Sequence, residues 1–150
     1  METHGVLAAA EPKAIALYCL DPRFQKAFQF FFSKELNLDY GDYIPIVIAG
    51  GASILARPDD YREDFEFAIS QIDFALLHFP SVEEIMLFNH KDCGRVICAE
   101  PQSIDDLRNA AANIESHFSW PSTLKIKLYY ASFDSIRAVP LTERQTAATP

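Results

Sequence analysis

The sequence has no cluster of lysines and arginines. Its 13 basic residues are outnumbered by 21 acidic ones, for a formal net charge of −8. A phosphate backbone is gripped by clustered cations, so no nucleic-acid partner is expected, and no anionic membrane surface either. No apolar run approaches the roughly 20 residues that cross a bilayer. The opening "METHGVLAAAEPK" lacks a basic stretch followed by a long apolar one. A secretory signal is therefore not expected, and a cytoplasmic location is. Cysteine is scarce, with Cys19, Cys93 and Cys98 alone. An odd, sparse set without an export signal argues against a disulfide framework and leaves metal binding, catalysis or plain burial. Internal repeats, low-complexity tracts and linkers are also missing. One domain over residues 1–150 is expected, with 1–12 and 139–150 as loose tails.

What is present is a core. Apolar residues make up 49% of the chain, and this length suffices to bury them. "KAIALYCL", "YIPIVIAGG", "VEEIMLFNH" and "LKIKLYYASF" read as strands, the first two as buried ones. Between them, "DPRFQKAFQFFFSKEL", "EDFEFAISQIDFALLHF" and "SIDDLRNAAANIESHF" carry helical spacing. Asp21 can cap the first of these with Pro22 in its first turn, Pro80 stops the second, and Ser103 can cap the third. The order β-α-β-α-β-α-β predicts an α/β fold, a central and mainly parallel sheet of about four strands flanked by helices. Ligands of such sheets sit beyond the carboxyl ends of the strands, where Cys19, Gly50 and His90 stand.

The stretch "ALYCLDPRF" places Cys19, Asp21 and Arg23 at alternate positions as a strand gives way to a loop. Each has a plain reading: Cys19 as a small buried hydrophobe, Asp21 as a helix cap, Arg23 as a solvated cation. "FNHKDCGRV" adds His90 and Cys93, three apart, just after another strand. That spacing lets an imidazole and a thiolate meet on one ion, and Cys19 can join them if the two strands are neighbours. Two thiolates and an imidazole would leave a tetrahedral zinc one open position, as catalytic sites do. Asp92 lies beside two of these ligands, as a solvated loop carboxylate or as support behind the metal. Cys98 reads as buried; as a fourth ligand it would close the site. Gly50-Gly51 reads as a tight turn whose backbone can line the pocket. His78 and His117 read as packing or surface groups, His4 lies in the loose arm, and Lys91 reads as surface. Phe28, Phe30, Phe31 and Phe32 cannot all face inward from one helix, so exposed aromatic area and self-association are expected.

At this point the sequence resembles the β-class carbonic anhydrases. Their paired motifs, C-x-D-x-R and a later H-x-x-C, stand here as Cys19-Leu20-Asp21-Pro22-Arg23 and His90-Lys91-Asp92-Cys93, followed by Gly94. "IAGGAS" loosely matches the family's glycine segment, and the element order agrees over roughly residues 13–135. The resemblance implies zinc (Zn2+) held by Cys19, His90 and Cys93, and a metal-bound hydroxide that hydrates carbon dioxide reversibly to bicarbonate. Asp21 would orient that hydroxide, Arg23 would hold Asp21, and Gly50, Gly51, Ala52 and Gly94 would line the substrate pocket. It also implies a homodimer or a multiple of dimers acting on a small molecule. Carbon disulfide or carbonyl sulfide hydrolysis, or a non-catalytic metal-binding scaffold, are the alternatives on the same framework. Pro22 stands where the family commonly has serine, and Ile48-Ala49 replace its Arg-Asn.

Overall fold

A computed structural model of the chain describes residues 4–118 and 124–142. Five strands form one sheet in the order β2-β1-β3-β4-β5. They are β1 (Ala14–Tyr18), β2 (Tyr43–Val47), β3 (Glu84–His90), β4 (Lys125–Ala131) and β5 (Ile136–Val139). The first four run parallel, and β5 pairs antiparallel with β4. The expected four strands are present, and β5 is an addition. It falls at the border of the segment read as a loose tail, the rest of which mostly lies outside the described residues.

β1 lies inside the sheet, between β2 and β3, because its sequence can be buried on both faces. Ile15 and Leu17 point to one side; Ala14, Ala16 and Tyr18 point to the other. On the first side they meet Ile85, Leu87, Ile126 and Leu128 of the sheet. The helices α2 (Ser53–Ala56), α3 (Arg62–His78) and α4 (Glu100–His117) cover this face with Ile54, Leu55, Ile72, Leu107 and Ile114. On the second side the small Ala14 and Ala16 leave room for aromatic rings. Phe28 of α1 (Gln25–Phe30) and Phe32 of the π-helical turn after it (Phe31–Glu35) settle over Tyr18 and Phe88 there. The wide turn is closed by the Leu36 N–H donating to the Phe31 carbonyl at 3.0 Å. It lets Phe31 reach Tyr129, with ring centroids 5.2 Å apart, while Phe32 stays buried. Phe30 is left 61% exposed, so the four aromatics do divide between core and surface. Among the described residues no helix is long and apolar enough to cross a membrane.

Two helix starts differ from expectation. α1 begins at Gln25, and Asp21 does not cap it: residues 22–24 form a turn, and the Asp21 carboxylate accepts the Arg23 N–H instead, at 2.9 Å. α4 begins at Glu100, so Ser103 is buried inside the helix and not at its cap. Pro101, whose fixed φ suits a first turn, starts that helix earlier.

Leaving β1, the chain crosses one face of the sheet to β2, then the other face to β3. β1 and β3 are neighbours whose following loops diverge, which opens a crevice beyond their carboxyl ends. Cys19 follows β1 and His90 ends β3 at that crevice.

Candidate metal centre

The β1 and β3 ends bring three soft donors together. A sulfur from Cys19, a ring nitrogen from His90 and a sulfur from Cys93 all lie within 4.8 Å of one another. The backbone holds each in place. The Gln25 side-chain amide donates to the Cys19 carbonyl at 3.0 Å and to the Asp21 carbonyl at 2.8 Å, fixing the turn out of β1. The Gly50 N–H points at the Cys19 sulfur from 3.5 Å. His90 Nδ1 lies 2.8 Å from the Lys91 carbonyl, an acceptor only, so this nitrogen carries the proton and Nε2 presents a lone pair. The Phe24 ring packs on the imidazole with centroids 4.3 Å apart.

His90 Nε2 is buried and has no hydrogen-bond partner in the protein. A buried polar atom without a partner costs free energy, and here it faces two sulfurs. A divalent cation would satisfy all three at once, so the residues fit the metal that their types imply.

Charge balance points the same way. The neighbouring Cys93 thiolate, then burial, push the Cys19 thiol well up from the usual thiol range. Cys93 is pulled down to about 3, first by the hydrogen bond from Cys19, then against burial by His90 and the N–H groups of Val96 and Arg95. Burial alone would lower His90, but Cys93 and the Lys91 carbonyl outweigh it and raise its pKa. Without a cation the cluster holds one thiolate, not two.

Asp21 sits at the edge of this cluster, its Oδ2 3.9 Å from His90 Nε2. Arg23 grips it by side-chain bonds from Nε (3.1 and 3.2 Å) and from a terminal nitrogen (2.7 Å). Those bonds hold the Asp21 carboxyl at about 2, well below the usual carboxylate range. The other face of the same guanidinium reaches Asp92, donating to its carboxylate at 2.9 Å and to its carbonyl at 2.7 Å. Asp92 adopts φ +60° to present that carbonyl.

Gly50 and Gly51 form the turn behind Cys19, both with positive φ. A Cβ on Gly51 would sit 2.7 Å from the Phe88 carbonyl oxygen, so side chains are shut out there. Ala52 is fully buried and donates its N–H to that same carbonyl, placing it in the packing beneath the turn. Gly94 is exposed with open space around its Cα. Cys98 is not part of the cluster; its surroundings are Arg57 and the buried Asp106, and burial raises its pKa. His78 stacks on Phe74, and His117 packs edge-on to Phe65.

Sequence reasoning missed Asn89 entirely. Its buried amide accepts from the Ser53 N–H (3.2 Å) and donates to Ser53 Oγ (3.0 Å) and the Ser103 carbonyl (2.9 Å). It thus ties the end of β3 to α2 and α4, one residue before His90. The one available signal is a buried-strand residue of the wrong polarity.

Fold and cluster together define an α/β protein with a candidate Cys–His–Cys metal centre at the switch point of its sheet. A protein family described as "Putative carbonic anhydrase" matches residues 9–139. The chain belongs to this family. No curated protein matches its sequence. Among solved structures it is similar to the carbonic anhydrase of Streptococcus mutans, at 15% identity and a TM-score of 0.62, over 91% of this chain and 89% of the other. It is equally similar to β-carbonic anhydrase isoform I of Trichomonas vaginalis, at 14% identity and a TM-score of 0.62, over 89% and 85% of the two chains. Carbonic anhydrase from Glaciozyma antarctica follows at 15% identity and a TM-score of 0.56, over 91% and 86%. The fold is thus that of the β-class carbonic anhydrases.

Proposed function

We propose that this protein is a zinc-dependent carbonic anhydrase that hydrates carbon dioxide reversibly to bicarbonate. The observation that supports this most is the buried, partnerless His90 Nε2 facing Cys19 and Cys93 at the sheet's switch point. Cys19, His90 and Cys93 would hold the ion. Zinc bound there would act as a Lewis acid and bring the pKa of a water toward neutrality.

The rest of the chemistry falls to the chain. His90 is fixed in the tautomer that offers Nε2, because its other nitrogen is committed to the Lys91 carbonyl. Asp21 remains ionised at any working pH, so it serves as a hydrogen-bond acceptor and is too weak a base to take a proton near neutrality. Its place 3.9 Å from His90 Nε2 suits it to orient a proton-bearing nucleophile. Arg23 keeps the carboxylate aimed and charged. Gly50 brings its N–H to the sulfur of Cys19, Gly51 lets the turn pass close to the Phe88 carbonyl, and the position of Gly94 is open around its Cα.

Two of the three ligands are free cysteines, which suits a reducing compartment, and we place the protein in the cytoplasm. Exposed Phe30 and Phe133 support a homodimer or a multiple of dimers, which sedimentation would read directly.

The test is stopped-flow carbon dioxide hydration on protein of measured zinc content, with Cys93→Ser beside it. Turnover that needs zinc and is lost in the variant supports the proposal. Full zinc occupancy without turnover refutes it and leaves carbon disulfide, carbonyl sulfide or a non-catalytic metal role for the same residues.

A further inference from the structure

Asp92 is not one of the three cluster donors: its side chain is 69% exposed and its carboxylate accepts from Arg23. Yet Arg23 divides its donors between Asp21 on the β1 loop and Asp92 on the β3 loop. The Arg23 side chain is itself about half exposed; besides these two aspartates it meets the Phe24 ring, 5.7 Å from the guanidinium carbon to the ring centroid. Asp21 is held through Arg23, and Arg23 is held through Asp92. The backbone makes the same connection. Asp92 takes a left-handed conformation, which aspartate, asparagine and glycine tolerate best, and this aims its carbonyl at the guanidinium.

We propose that Asp92 is a positioning residue that keeps the Asp21 carboxylate off the metal position, by anchoring Arg23 to the loop that carries His90 and Cys93. This rests on the metal-centre reading above and adds the control of its fourth position. Asp21 Oδ2 already lies 3.9 Å from His90 Nε2. Once Arg23 loses its second anchor, the carboxylate is free to move into the place an exchangeable ligand would occupy. The ligand-bearing loop and the orienting carboxylate are thereby mechanically joined across 69 residues of sequence.

The test uses the full chain loaded with cobalt(II) and titrated with azide, followed by visible absorption. Wild type should hold one cobalt and bind azide. Asp92→Gly keeps the left-handed backbone and removes the carboxylate, and should weaken azide binding about fivefold, the size of one exposed but networked ion pair. Asp92→Asn, which preserves side-chain volume, should fall between the two. Adding Asp21→Asn to Asp92→Gly should restore azide binding. The sign is diagnostic, because deleting a negative charge near an anion site would by simple electrostatics strengthen azide binding. Unchanged or tighter azide binding in Asp92→Gly overturns the role of Asp92. So does weakening that Asp21→Asn fails to reverse, or a wild-type cobalt site that ignores azide. A wild type that holds no cobalt overturns the metal-centre reading itself, and this inference with it.

Discussion

Metal-free protein should carry one thiolate at a pH where ordinary thiols carry almost none. The perturbation is chelation of any bound metal, and the quantity is the number of ionised sulfurs per chain. Cys19 and Cys93 are too close to hold two negative charges without a cation, so they share one proton. Cys19, 4% exposed, keeps it, and Cys93 ionises with its pKa drawn down to about 3. At about pH 5 a group with that pKa is about 99% ionised, whereas an unperturbed thiol is ionised about once in ten thousand. Ultraviolet thiolate absorbance measures the difference directly. Alkylation rate would not, because a thiolate of lower pKa is also a poorer nucleophile. The expected result is one thiolate per chain, flat from about pH 5 to 8, since both macroscopic steps of the pair lie outside that window. Loading with zinc must then expel the Cys19 proton, and affinity should rise about tenfold per pH unit once His90 is neutral and more steeply at lower pH, where the raised His90 pKa adds a second proton to be displaced. A signal absent at low pH that grows in near the usual thiol value of 9.0 would refute the picture of a shared proton between two converging sulfurs.

Further outcomes follow from single contacts. Arg23→Ala should keep zinc but lower kcat/KM by about 10- to 100-fold, the usual cost of losing the group that orients a metal-site residue. Because the Asp21 carboxyl is depressed to about 2, it adds no acid limb to the wild-type profile above that value; in Arg23→Ala such a limb should appear nearer the ordinary value of about 4. A profile unchanged in shape would contradict the clamp. Gly51→Ala combines φ +56° with a backbone oxygen 2.7 Å from the new Cβ and should cost about 3 kcal/mol in urea unfolding. Asn89→Leu strands the Ser53 N–H in the core and should cost about 2 kcal/mol; a loss under about 0.5 kcal/mol would mean that water replaces the amide.

Much of this site could be read from residue order because its ligands sit where strand patterns stop. The alternation in Ala14 to Tyr18 marks a strand buried on both faces, and the break in apolar character after it exposes Cys19, Asp21 and Arg23 as a group. His90 and Cys93 stand out for the same reason after β3. What stayed hidden depends on contacts far apart in sequence. Nothing in "HKDC" says that Asp92 adopts a left-handed turn and meets an arginine 69 residues earlier. β5 escaped notice because four residues with two exposed members carry too little pattern to distinguish an edge strand from a tail. The start of α1 was misplaced because Asp21 and Pro22 carry helix-start chemistry, yet Asp21 is engaged by Arg23 and the turn of residues 22–24 delays the helix. Ser103 has cap chemistry too, but Pro101 and Glu100 open α4 a turn before it.

The parallel pairing of β1 with β3, Leu17 beside Leu87, has a consequence for how the protein assembles. The three metal donors come from the ends of two strands separated by the whole of α1, the π-helical turn, β2, α2 and α3. They cannot meet until a long loop has closed and the two strands have found their register, which is the slow kind of event in folding. A slip of one residue would turn every side chain of the strand to the opposite face and scatter the donors. The complete three-donor site therefore exists only in a chain whose central sheet has formed, so the rate at which that site appears should report the closure of the β1–β3 pair.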